Sequence, residues 1–112
     1  MLVYTVAVTF PDVATADAWR AWLRNGHVAD VMAGGAVAAE VVRVDGGLRY
    51  EVRYRFPSRE AFERYERDHA PRLRAEGRSK FPPERGIAYE RATAELLDTY
   101  GSDSEHRDRS GL

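Results

Sequence analysis

Leu48-Arg49-Tyr50-Glu51-Val52-Arg53-Tyr54-Arg55-Phe56 alternates without a break. Leu48, Tyr50, Val52, Tyr54 and Phe56 fall on one face, and Arg49, Glu51, Arg53 and Arg55 on the other. A period of two with aromatic and β-branched residues on the apolar side specifies a strand with one face in a core and the other on a polar surface. Asp45-Gly46-Gly47 just before it tolerates the positive φ angles of a tight turn, so this strand is the second arm of a hairpin. The first arm is weaker: Ala36 to Val44, with Val42 and Val44 on one face and Val37 and Val41 on the other. Pro57 ends the second arm, and Ser58 is a helix N-cap.

Outward from the hairpin the pattern changes period. Leu2 to Phe10 alternates like a central strand, broken by Pro11. Asp12 or Thr15 is placed to cap a helix on which Trp19, Trp22, Leu23 and His27 recur at helical spacing, with Arg20 and Arg24 turned outward. Asn25-Gly26 ends or kinks that helix, Val28, Val31 and Met32 continue its stripe, and Gly34-Gly35 stops it. On the other side of the hairpin, Ala61, Phe62, Tyr65, His69 and Leu73 form a second amphipathic face, kinked or restarted at Pro71. Phe81-Pro82-Pro83 is a loop, and Gly86 to Leu97 reads as a last strand. The order β-α-β-β-α-β predicts an α+β, ferredoxin-like fold: a four-stranded antiparallel sheet with two helices on one face. The domain is expected over residues 1–98, and 99–112 as a polar tail. The two halves echo each other, Phe10-Pro11 matching Phe56-Pro57, and Leu23, His27 and Val31 matching Tyr65, His69 and Leu73.

Composition narrows the chemistry. The chain has 112 residues, 44% hydrophobic and 31% charged, which suits one globular domain. No apolar run reaches membrane-spanning length, and a net charge of -1 argues against a general grip on nucleic acid or anionic lipid. RNA recognition by a sheet face needs exposed aromatics, whereas Tyr50 and Tyr54 share their face with Val52. The absence of cysteine removes disulfides, thiol nucleophiles and thiolate metal sites. Met1-Leu2-Val3-Tyr4 enters a strand with no secretory pattern, so a cytoplasmic protein is expected. No phosphate loop, nucleophile elbow or His-Glu-x-x-His is present.

Several segments together resemble a known family. These are Leu2-Val3-Tyr4, Trp19-Arg20-Ala21-Trp22-Leu23, His27-Val28-Ala29-Asp30-Val31-Met32, Tyr50-Glu51-Val52-Arg53-Tyr54, and Tyr65 through Arg74. The chain is similar over residues 1–97 to a small bacterial domain-of-unknown-function family in the dimeric α+β-barrel superfamily. It departs from that family at Ala29, where proline is usual. The resemblance implies a homodimer joined through the sheet face, with small ligands between sheet and helices. Superfamily relatives include cofactor-free monooxygenases of antibiotic biosynthesis, EthD-like proteins and stress-responsive barrel proteins. It implies no resident cofactor.

Against that background His27 is the candidate general base, with Tyr50 and Tyr54 as donors. The plainer reading is a core histidine bonded to backbone or to a tyrosine hydroxyl. Trp22, Tyr4, Phe62, Tyr65 and His69 are candidate walls for a small apolar or aromatic ligand, and Trp19 reads as core. A metal shared by His27 and His69 within one subunit is not expected, because the helical topology sets them roughly 15–20 Å apart. His106 lies in the tail. Arg49, Glu51, Arg53 and Arg55 are expected either to face water or to pair across a dimer with Glu40, Glu90 or Glu95. The function expected is a small-molecule-binding protein or a cofactor-independent enzyme of the monooxygenase or isomerase kind. The rival is a non-catalytic dimeric structural or regulatory module. A cavity of about 300 Å³ or more, with His27 in its wall, would favour the first.

Overall fold

The computed structural model describes residues 1–102; most of the expected tail, with His106, lies outside the described residues. Strand β1 (Leu2–Thr9) runs antiparallel to β3 (Arg49–Phe56) on one side and to β4 (Ala88–Glu95) on the other. Strand β2 (Ala38–Arg43) pairs with the outer edge of β3, giving the order β2-β3-β1-β4. The register sets Leu2 opposite Phe56, Tyr4 opposite Tyr54, Val6 opposite Val52 and Val8 opposite Tyr50. All eight side chains therefore lie on the face that the helices cover.

The first helical layer is α1 (Val13–Trp22), a π-helical turn over Leu23–His27, and α2 (Val28–Ala33). Asp12 caps α1, its carboxylate accepting from the Thr15 N–H at 2.8 Å. The π turn is marked by the Val28 N–H donating to the Leu23 carbonyl, five residues back, and by Gly26 at φ 153°. The second layer is α3 (Arg59–Asp68), capped by Ser58 Oγ at 3.1 Å, and α4 (Ala70–Lys80). Here the break falls at His69, and Pro71 stands in the first turn of α4, where a missing N–H is harmless. The internal echo thus has a structural meaning: each histidine sits where one helical segment hands over to the next. The outer strands are shorter than the alternation suggests. Gly86, at φ 87°, closes the turn over Pro83–Arg85, so β4 begins only at Ala88.

Aromatic residues fill the two ends of the core. Phe10, Trp19 and Tyr50 pack together at one end. Tyr4, Tyr54, Phe56, Phe62 and Tyr65 pack at the other. Gly34, at the end of α2, allows the helical layers to meet. A Cβ there would lie 2.9 Å from the Tyr65 ring and 3.0 Å from His69.

The opposite sheet face is uncovered among the described residues. On β1 and β4 it presents small side chains: Thr5, Ala7, Ala88, Ala92 and Ala94. On β3 it carries the arginine–glutamate row, and the expected partners are found within the chain. Arg49 bonds Glu90 at 2.6 Å, while Arg53 bonds Glu51 at 2.8 Å and lies 3.6 Å from Glu40. The register explains it, since Glu40 stands opposite Arg53 and both Glu51 and Glu90 stand opposite Ala7. Glu95, opposite Leu2, belongs to the helix-covered face and is corrected out of the row.

Candidate functional site

Between the two aromatic ends, the two central strands offer only Val6, Val8 and Val52 to the helices. Side chains this short leave space beneath the helical layer. A cavity of about 70 Å³ opens there, roofed by Trp19, Trp22, Leu23, His27, Val31, Leu73 and Gly77. Tyr4, Tyr54 and Tyr65 close one end. Tyr89, Arg91, Arg74 and Arg78 line the side toward β4. Arg78 and Arg91 are the exposed residues of the wall, so the mouth lies there.

Trp22 and His27 pack against each other in the wall. Their rings stack at 4.0 Å between centroids and 20° between planes. In an α-helix, residues five apart are rotated about 140° from each other. The π turn's i→i+5 closure brings them onto one side, so the stack exists because the helix is irregular. Trp22 also needs Gly77: a Cβ on that residue would lie 3.2 Å from the indole ring. Glycine inside a helix is destabilising by roughly 1 kcal/mol relative to alanine, and room for Trp22 is what it gains in return.

His27 Nδ1 is buried with no hydrogen-bond partner, so the histidine is not the backbone-bonded core residue of the plainer reading. Burial holds its pKa below the usual 6.5, with Asp30 and Glu76 acting in the opposite sense. The imidazole is therefore neutral near pH 7, one nitrogen a donor and the other an acceptor. A consequence for stability follows. The unfolded chain takes up this proton first, so His27 contributes stability above about pH 6.5 that is lost as pH falls below it. Denaturant titrations between pH 7.5 and 5 should show a fall in stability, and His27→Asn should flatten that slope.

The tyrosines act as donors. Burial pushes the Tyr54 and Tyr65 hydroxyls above their usual pKa, so both stay protonated. At the mouth, Arg74 donates to Glu66 and, at 3.3 Å, to the Tyr4 hydroxyl, while its Nε is buried without a partner. Arg78 lies 5.5 Å above the Tyr89 ring, whose hydroxyl donates to the Phe81 carbonyl.

The fold gathers His27, Tyr54, Trp22, Tyr4 and Tyr65 around this cavity, together with Trp19, which also packs in the core. It does not bring the other three candidates there. Tyr50 turns into Phe10 and Trp19 with Arg43 over its ring, Phe62 lies among Tyr4, Phe56 and Tyr65, and His69 stacks on Tyr65 at the α3–α4 break. Sequence reasoning missed Arg74, Arg78, Gly77, Tyr89 and Arg91. The available signal was Leu73 and Gly77 four apart on α4, with Arg74 and Arg78 beside them. Among the described residues, no group of three or more His, Asp or Glu is arranged to hold a metal ion. No helix is long and apolar enough to cross a membrane.

Comparison with solved structures supports the fold. A dimeric ferredoxin-like protein from an uncultured marine organism superposes with a TM-score of 0.68 at 12% identity, covering 88% of this chain and 97% of that one. A putative antibiotic biosynthesis monooxygenase from Deinococcus radiodurans gives 0.67 at 9% identity, covering 91% and 98%. MhuD, solved with two manganese protoporphyrin IX molecules per active site, gives 0.62 at 16% identity, covering 91% and 100%. At these identities the likeness is one of fold. No curated protein matches the chain in sequence. A family match extends over residues 1–96, the whole of the sheet and both helical layers, and the chain belongs to the family described as Domain of unknown function (DUF4286).

Proposed function

We propose that the protein binds a small apolar or aromatic molecule between its helices and sheet and acts on it without a resident cofactor. His27 serves as general base and Tyr54 as donor, in the manner of a monooxygenase or isomerase. The observation that carries this reading is the unpartnered, neutral His27 in the wall of a cavity whose inner part is lined by Trp22, Leu23 and the strand valines. The fold shared with the monooxygenase and with MhuD supports it by analogy.

The cavity, at about 70 Å³, is below the roughly 300–1,000 Å³ of ligand pockets and the roughly 150 Å³ that holds benzene. An aromatic ring therefore enters only as the Trp22–His27 stack moves outward, and Gly26 in the π turn gives that segment a pivot. The small volume is also what favours the rival, a non-catalytic dimeric module. We propose a homodimer through the uncovered sheet face in either case, supported by the small residues of β1 and β4 and by the dimeric ferredoxin-like neighbours.

Val52→Ile tests the cavity. The added methylene is expected to enter it and stabilise the protein by about 0.8 kcal/mol, where a filled core would be destabilised by about 1–3 kcal/mol. A thermal-shift screen of aromatic compounds should yield ligands that raise Tm for the parent protein but not for folded His27→Ala. No hit, or hits indifferent to His27, would sink the catalytic assignment.

A further inference from the structure

The cavity's polar groups are one-sided in charge. Its wall contains Arg74, Arg78 and Arg91 and no carboxylate. Arg78 and Arg91 make no ion pair among the described residues, and Arg74, though paired with Glu66, keeps a buried Nε without a partner. An unsatisfied buried guanidinium N–H is unfavourable unless something accepts from it. The three come from two elements, α4 and β4, and converge on one place. Arg78 covers the Tyr89 ring, Arg74 reaches the Tyr4 hydroxyl, and Arg91 acts electrostatically on both Tyr65 and Tyr89. The register puts Arg91 beside Val6, on the face that looks into the cavity. Beyond these arginines the wall becomes apolar, ending at Trp22 and the valines.

From this arrangement we infer that the ligand is an aromatic carboxylate, its ring against Trp22 and the strand valines and its carboxylate between Arg74, Arg78 and Arg91. The inference rests on the pocket reading above and names its ligand class. Guanidinium groups suit a carboxylate because their N–H donors match its two oxygens, and a partly enclosed site strengthens such bonds. His27 then meets the ring from the inner side, where its neutral imidazole faces a ring substituent and not the anion.

The experiment is calorimetric titration with 2-naphthoate and with 2-naphthamide, which share a ring system and differ in charge. The parent protein should bind the carboxylate at least about tenfold more tightly than the amide, the size expected of hydrogen bonds to a charged group. Arg78→Gln/Arg91→Gln, shown to be folded by circular dichroism, should bring the two affinities to within about threefold. Arg74 is left intact because it also holds Glu66 and Tyr4. Equal binding of both compounds, unchanged in the double variant, would overturn the anion assignment and leave the pocket standing. Failure of both compounds to bind would overturn the pocket reading with it.

Discussion

Replacement of Phe56 by alanine is expected to remove about 3–5 kcal/mol of stability. The side chain is 0% exposed, edge-on to Phe62 at 5.3 Å and tilted against Tyr65 at 5.1 Å. It stands at the last position of β3, opposite Leu2, just before the Pro57-Ser58 corner that launches α3. One ring thus joins the central strand pair to the second helical layer, and the rigid elements around it have little freedom to collapse into the space it leaves. A small domain has roughly 5–15 kcal/mol in all, so the loss is a large fraction of the total. Urea denaturation with an unchanged m-value would report it, and a loss under about 1 kcal/mol would show that Phe56 does not tie these layers together.

The second large effect concerns assembly. Ala92→Arg should convert a dimer into a monomer at concentrations where the parent protein is dimeric. Ala92 lies on the uncovered face opposite Thr5, and Thr5 is opposite Arg53 on its other side. A long cation in this row of small residues would prevent close approach of a second sheet and add a positive charge level with Arg53. Since the ion pairs of that face already close within the chain, the contact must come largely from the alanine and threonine half, where the substitution is placed. Light scattering gives one chain mass or two. A parent protein that is monomeric, or a variant that remains dimeric, would remove the sheet-face dimer.

The residues that revealed the fold are not those that reveal the site. Tyr50 and Tyr54 look equivalent in an alternating strand, yet Tyr54 lines the cavity and Tyr50 is held in the Phe10–Trp19 cluster. His27 and His69 look equivalent in the internal echo, yet only His27 enters the wall. In both pairs the outcome depends on neighbours that are distant in sequence. The Trp22–His27 stack was illegible for another reason: helical periodicity assumes a regular turn, and this one is widened by a residue.

The sequence by itself determined the element order, the hairpin at Asp45-Gly46-Gly47, the cap at Ser58, and which face of β3 is apolar. Each of these is governed by interactions within a few residues, where periodicity, turn chemistry and capping act directly. Only the tertiary structure decided that the valines in the middle of the sheet leave a cavity, that Arg49 and Arg53 find their carboxylates within one chain, and that Arg74, Arg78 and Arg91 meet at one mouth. Those results depend on antiparallel register and on the heights of side chains brought together from separate elements, which no local pattern encodes.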